Sequence, residues 1–469
     1  MRALFLGLCL FGLLLHSRVQ RHSALVLTHA NVMDVRSGRI VAGMTVLIED
    51  GKITHIAKLA LVPQSRDVTV VNASGKFLIP GLWDMHVHSA FADAPWDEKV
   101  IYPLYVANGI TGIRDMGGDE KLLKERRAAI RDGRLLGPHM FIAGPFLAAG
   151  KADAQTIPVP NPEEARRAVD SVKADGFDFV KILSNVPRES YFAIADEATK
   201  QNITFAGHVP YSISAEEAAN AGQRSIEHLT GILLACSTQE EEIRKAELEA
   251  LAVRNYSAFT KLGSAILGSY RPDKAKALFF DFTAHSTWQV PTLVWTMANS
   301  NLDHPELFND PRLKYVPASI RKGWDPAKQK PAPEQAALAK SEAERDIQLV
   351  HDMHRHGVQF LAGSDGPDPF VFPGFSLHDE LELLVRSGLT PLQALQTATF
   401  NPALFMQKLD RYGIIEQGHV ADLVLLDANP LIDIRNTRKI SAVVLGGRYF
   451  PRVELDKMLR DAEDRAAKE

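Results

Sequence analysis

Cysteine is nearly absent. Of two in 469 residues, Cys9 falls in an apolar N-terminal stretch and Cys236 stands alone in the rest of the chain. An intrachain disulfide framework is thereby excluded, and stability must come from a packed core. Long apolar runs are missing too. The stretch from Ala3 to Leu15, which follows Met1-Arg2, is too short to cross a bilayer comfortably. It reads as a secretory signal over residues 1–23, cut somewhere between Ser17 and Ala24. That predicts a secreted or periplasmic protein with no stable membrane span after signal removal; an uncleaved anchor is the alternative. Nor is one sign of charge in excess. With 53 basic against 57 acidic side chains and no basic patch, nothing supports a nucleic-acid partner. What remains is an ordinary globular composition, 46% hydrophobic and 23% charged, long enough for one large domain and an accessory one.

What the chain does have is alternation. Over 76–412, strand-like runs alternate with amphipathic helical stretches such as Asn161–Ala174 and Ala215–Ala221, the pattern of parallel βα units. The candidate strands are Phe77–Val87, Gly109–Asp115, His139–Phe146, Phe177–Leu183, Ile203–Val209, Ser225–Leu229, Trp288–Val294 and Val358–Asp365. This is the number that closes a (β/α)8 TIM barrel. Several are apolar on both faces, as strands between a barrel interior and its helices must be. A helical insertion about 237–286, with the Pro-rich Trp324–Pro333, lies over the barrel mouth in this reading. Short β-rich runs fill 24–75 and return at 413–455, so the fold expected is α/β, a barrel with a small β-sandwich domain formed from both termini.

The first barrel strand ends in His86-Val87-His88. Side chains alternate along a strand, so both imidazoles project to one side and can grip one ion together. Two histidines do not complete a metal site. Lys181, His208, His228 and Asp365 each sit at or near the C-terminal end of a later candidate strand, the catalytic face of this architecture. Any one of these histidines alone is better read as a hydrogen-bonded core residue; all of them in strand order are not. Lys181 is costly at the end of a buried strand unless it is paired or chemically altered. A salt bridge is the plain explanation. Uptake of carbon dioxide by the neutral amine is the sharper one, since a carbamate has two oxygens and bridges two cations. Asp84, on the same face as His86, is a candidate partner for that histidine or a cap of the interior. Tyr211 is a candidate substrate contact or simple loop packing. Arg114, Asp115 and His378 are polar residues near strand or loop ends, with His378-Asp379-Glu380 reading as a helix start.

His86-x-His88, Lys181, His208, His228 and Asp365 together resemble the binuclear centre of the amidohydrolase superfamily. The nearest flavour is the secreted metal-dependent dipeptidase and Xaa-Pro dipeptidase-like branch, related to imidazolonepropionase. Thr390-Pro391-Leu392-Gln393-Ala394-Leu395 through Ala403 resembles the family's last helix, and Gly413 through Val424 its return to the β-domain. The resemblance implies that His86, His88 and Asp365 hold one divalent ion and His208 and His228 the other, with carbamylated Lys181 between them. The run Gly207-His208-Val209-Pro210-Tyr211 departs from that of the dipeptidases.

The expected activity is hydrolysis of an amide bond, peptide or N-acyl amino acid, in a small molecule by a bridging hydroxide, with Asp365 moving the proton. Zinc suits the donors best, although manganese or cobalt would be accepted. The alternatives are a cyclic-amide hydrolase or deaminase with a single metal, lactonase or phosphotriesterase-like activity, and a metal-free interaction protein. Loss of ligands would mark that last class, and none is lost here. A homo-oligomer is compatible with the sequence and not specified by it.

Overall fold

The computed structural model describes residues 24–58, 67–91, 96–324 and 330–469; the signal expected over 1–23 lies outside them. The fold is mixed α/β. In chain order the strands are β1 (Ala24–Asp34), β2 (Arg39–Glu49), β3 (Lys52–Ala57), β4 (Val68–Asn72), β5 (Phe77–Pro80), β6 (Leu82–Val87), β7 (Ile110–Asp115), β8 (His139–Ile142), β9 (Phe146–Ala148), β10 (Thr156–Pro158), β11 (Phe179–Ile182), β12 (Thr204–Gly207), β13 (Ser225–Glu227), β14 (Trp288–Val290), β15 (Leu423–Leu426), β16 (Ile440–Leu445) and β17 (Arg448–Pro451).

Strands from both ends of the chain share one sheet, in the order β17-β16-β15-β5-β1-β2-β3, with β4 parallel to β1. The long β1 and β2 slip register around Ala30, where His29 takes φ +59°. Such a bulge bends a sheet and increases its twist. Leu25, Leu27, Val46, Ile48, Leu78 and Leu425 pack on one face of the bend, and Ala24, Val26 and Leu47 on the other. The period-two alternation of β1 therefore buries both faces.

Two parallel sheets make the rest: β6-β7-β8, and β10-β9-β11-β12-β13-β14. The expected strand Phe77–Val87 is two strands. At Gly81 the backbone changes partners, Gly81 N–H donating to Asp422 C=O (2.8 Å) and Leu82 N–H to Gly109 C=O (3.0 Å). The first half thus belongs to the terminal sheet and the second to the parallel one, which fixes the His-x-His end relative to that sheet. The expected strand Val358–Asp365 is irregular, yet it bonds on both sides. Leu361 N–H donates to Gln289 C=O (2.9 Å) in β14, while Met85 N–H donates to Ala362 C=O and Asp365 N–H to His86 C=O, both at 2.8 Å. Gly363 permits this approach, because a Cβ there would stand 2.7 Å from the Cβ of His86. Further parallel bridges join Ala143 to Phe179, Gln289 to Phe360 and Val87 to Gly366.

The stretch 237–286 forms three helices, Glu240–Ala252, Ala258–Gly268 and Pro272–Ala284. The last buries Phe279 and Phe282 in the main core, so it packs as a layer helix ahead of β14. A long helix, Pro333–Arg355, precedes the Val358–Asp365 segment. Beyond β17 the chain ends in Arg452–Ala466, whose Leu455, Ala462 and Ala466 join the same core as Val100 and Leu104 of the helix Glu98–Ala107. Among the described residues no helix is long and apolar enough to cross a membrane.

Candidate metal centre

All six candidate ligands meet in one place. His86 lies in β6 and His88 just past it, Lys181 in β11, His208 and His228 immediately after β12 and β13. Asp365 closes the irregular segment and is the hub. Its Oδ1 is 3.3 Å from His86 Nε2 and 3.5 Å from His88 Nε2, and its Oδ2 is 3.7 Å from His228 Nδ1. One ligand atom from each of His86, His228 and Asp365 falls within 4.8 Å of the others. The His208 and His228 rings are 5.1 Å apart, centre to centre. Backbone strain marks the same spots: His228 and Asp365 hold φ of +56° and +64°, a region non-glycine residues adopt at a cost of about 1–3 kcal/mol when the surroundings enforce it. Before His208 the chain needs a glycine, since at Gly207 (φ +136°) a Cβ would meet Ile182 C=O at 2.2 Å.

The imidazoles are held from behind. Nδ1 of His86 donates to Glu227 (2.8 Å) and Nδ1 of His88 to Gly117 C=O (2.7 Å). Both acceptors lack a proton to give, so Nε2 of each ring carries the free lone pair. Nδ1 of His228 pairs with Thr292 Oγ1 at 2.8 Å, and that hydroxyl spends its own proton on Pro291 C=O. The same tautomer follows. His208 Nδ1 pairs with Ser184 Oγ at 2.7 Å. Burial first, then the Lys181 charge, depresses His86, His88 and His208. His228 is depressed by burial and by His208. All four are neutral near pH 7, as metal ligation requires. His86 Nε2 is buried without a hydrogen-bond partner, an arrangement that a cation would satisfy.

Lys181 is 1% exposed, and among the described residues its ammonium meets no hydrogen-bond or ion-pair partner. Burial pushes it down to about 8, against the opposing pull of Glu227 and Asp365. Burial, with Asp368 beside it, pushes the Asp365 carboxyl well above the usual carboxylate range. The donor set of four neutral imidazoles, a carboxyl and an unpaired buried amine fits divalent cations.

Glu227 escaped the sequence reading, and the other polar candidates take supporting or remote places. Glu227, one residue before His228, is the outer partner of His86; it is fully buried and clamped by Arg114, whose Nη2 donates to both of its oxygens at 2.9 and 2.8 Å. Arg114 Nε also donates to Met85 C=O (2.6 Å), which ties β7 to β6. The Ser-x-Glu-His order was visible, but nothing in it said that the glutamate points inward. Among the described residues Asp84 makes no hydrogen bond to an imidazole, although it accepts from the backbone N–H of His86 (3.3 Å). Its carboxylate accepts from Ser364 N–H (2.9 Å) and Oγ (2.6 Å), bracing the residue before Asp365; burial raises it to about 7. Asp115 accepts from Ser89 N–H (2.8 Å) and Gly117 N–H (3.2 Å), holding the loop whose carbonyl orients His88. His378 is remote, bonded to Thr437 and Asn108. Tyr211 lines a cavity of about 280 Å³ that also includes Ser184 and His228, with its ring edge-on to Phe259 at 5.7 Å.

Known proteins resemble most of the length of this chain. Ochratoxinase from Aspergillus niger is 23% identical over 435 residues, covering 80% of this chain and 75% of its own length. Among solved structures, a Xaa-Pro dipeptidase with bound methionine in the active site superposes with a TM-score of 0.67 at 21% identity, over 92% of this chain and 100% of that one. A bottromycin amidohydrolase gives 0.72 at 20% identity, over 94% and 90%. Likeness at these identities shows the shared fold. Residues 77–449 match the profile of the amidohydrolase family, the greater part of the chain and every candidate ligand, and the chain belongs to that family of hydrolases.

Proposed function

We propose that this protein is a metal-dependent hydrolase that cleaves an amide bond, in a dipeptide or N-acyl amino acid, at a binuclear centre. In this reading the parallel strands form one closed (β/α)8 barrel. The bridges Ala143–Phe179, Gln289–Phe360 and Val87–Gly366 are the seams, and the bent terminal sheet is the accessory β-sandwich over 24–75 and 413–455.

The observation that carries the reading is the outward anchoring of the imidazoles around Asp365 and an unpaired buried lysine. His86, His88 and Asp365 would hold one ion, His208 and His228 the other, and Lys181, as a carbamate, would lie between. Two divalent ions there, zinc being the best match to nitrogen and carboxylate donors, would polarise a carbonyl and make water a nucleophile near neutral pH. The rest is the work of the chain. Asp365 is placed to take a proton from attacking water and return it to the leaving nitrogen. Glu227, fixed by Arg114, keeps His86 in its tautomer. Phe91 stacks on His88 at 4.9 Å and shields that side from solvent.

Metal-loaded protein should carry two ions per chain and, by native mass spectrometry, one carbon-dioxide adduct. It should hydrolyse members of a panel of dipeptides and N-acyl amino acids. A silent panel at full metal loading overturns the activity. The trio of His86, His228 and Asp365 within 4.8 Å favours a second reading, a single-ion cyclic-amide hydrolase or deaminase. One ion per chain, with Lys181→Ala still active, would select it.

A further inference from the structure

The cavity that adjoins the centre through His228 and Ser184 has a chemical character of its own. Its volume is about 280 Å³, at the small end of ligand clefts of roughly 300–1,000 Å³, so it suits one side chain of a substrate. Part of the lining is apolar and aromatic, including Tyr211, Leu234, Ile266 and Trp295, the last with its ring 5.4 Å from that of His228. Three carboxylates line it as well: Glu247 from the helix Glu240–Ala252, and Glu342 with Asp346, one turn apart on the helix Pro333–Arg355.

None of the three has a hydrogen-bond or ion-pair partner among the described residues. Glu247 is only 7% exposed and still faces the cavity unpaired. The cavity's arginine offsets them only in part: the Arg244 charge draws Glu247 down against burial, but its guanidinium is bound to Glu240 (2.7 Å) and to the backbone carbonyls of Tyr211 and Ile213, one cation against three further carboxylates. Buried charges ordinarily have a partner, and among the described residues no hydrogen bond or ion pair reaches these three. A single metal ion does not fit the gap. Among the described residues only His86, His228 and Asp365 bring three ligand atoms within 4.8 Å of one another, so these carboxylates are too dispersed to share one.

We propose that this cavity is the specificity pocket for a cationic side chain, an alkylammonium or guanidinium carried by the amide substrate. An aliphatic stem would lie along the leucine and isoleucine wall, and the charged head would reach the carboxylates past Tyr211 and Trp295, whose faces also attract cations. Burial, only partly opposed by the Arg244 charge, pushes Glu247 up to about 7 and, together with Glu342, pushes Asp346 up to about 8; an arriving cation removes that penalty. The assignment rests on the hydrolase reading for its substrate, though the binding pocket can be probed without turnover.

Two measurements on metal-loaded protein test it. Calorimetric titration should show n-butylguanidinium, which is always charged and a poor metal ligand, binding at least tenfold tighter than neutral n-butylurea. Kinetics should show Nα-acetyl-lysine and Nα-acetyl-arginine exceeding Nα-acetyl-norleucine at least tenfold in kcat/KM. Glu247→Gln should erase most of both ratios, and Glu247→Asp should restore part. Should Glu247→Gln not fold, Glu342→Gln and the wild-type ratios decide. Equal binding of guanidinium and urea, with norleucine cleaved as well as lysine, overturns the pocket and leaves the hydrolase intact. Tight guanidinium binding lost in Glu247→Gln, with no amide cleaved, supports the pocket and overturns the activity. Failure of both ratios and of all cleavage overturns both.

Discussion

The two sides of His228 are built on opposite principles. Toward Asp365, each histidine is fixed by a neighbour behind it, down to Arg114 clamping Glu227 and Asp115 holding the loop around His88. Toward Tyr211, three carboxylates stand with no hydrogen-bond or ion-pair partner among the described residues. Rigidity on the first side places atoms for chemistry, which tolerates little misplacement. Unmet charge on the second leaves binding energy to be gained from whatever arrives, and so discriminates among substrates. A site that fixes its reacting groups and leaves its recognition groups unsatisfied separates turnover from choice.

Breaking the first side should have the largest effect. Asp365→Asn keeps an oxygen toward His86 and His88 but not the proton traffic, and should lower kcat by about 10²–10⁴-fold, the usual range for general acid-base catalysis. Metal content measured alongside should stay largely intact. Unchanged turnover in that variant would remove Asp365 from the proton-transfer role.

Next in size is the clamp behind His86. Glu227→Ala leaves the Arg114 guanidinium buried and unpaired, and should cost about 3–5 kcal/mol in chemical denaturation. Replacing both partners, as in Arg114→Met with Glu227→Leu, should recover most of that stability while His86 loses its anchor and activity stays low. If the double variant were as active as wild type, Glu227 would have no positioning role.

That clamp also marks where the sequence stopped being legible. The His-x-His end of β6, and His208, His228 and Asp365 near their strand ends, could be read because strand alternation and an apolar approach fix where a side chain points. Lys181 was conspicuous because an amine in the apolar run Phe179-Val180-Lys181-Ile182 contradicts its surroundings. Partners contributed by other strands obey no such local rule. Glu227 meets Arg114 across 113 residues, and neither position announces the other. The same limit hid the split at Gly81, where one apolar run serves two sheets, and the irregular segment ending at Asp365. In the stretch 237–286 helices were expected, but periodicity did not say which would wall a cavity and which would pack on the core.

On the second side of His228, pH should expose the unpaired groups. Folding raises Glu247 from 4.5 to about 7 and Asp346 from 3.8 to about 8. The folded state therefore binds more protons than the unfolded chain across that interval. Stability from this source falls as pH climbs from about 4 to about 8, and is fully lost above both folded values. One pKa unit corresponds to about 1.4 kcal/mol, and water entering the cavity reduces the full shift, so an effect on the order of 2 kcal/mol is expected. Thermal melts of wild type and of Glu247→Gln with Asp346→Asn should agree near pH 4 and diverge by pH 8, the variant being the more stable. Parallel profiles would mean the carboxylates are already satisfied.

The smallest effect belongs to Tyr211, and it sharpens what the cavity recognises. Its hydroxyl has no hydrogen-bond partner among the described residues, and its ring is held by Phe259. Tyr211→Phe should therefore shift stability by less than about 0.5 kcal/mol. Were the hydroxyl to bind a substrate carboxylate, its loss would weaken KM about two- to tenfold, the worth of one hydrogen bond. Glu247, Glu342 and Asp346 line the same space and repel such a carboxylate. KM for Nα-acetyl-lysine should thus change less than about twofold in Tyr211→Phe. A tenfold rise would place the substrate's carboxylate, rather than its cation, against this wall.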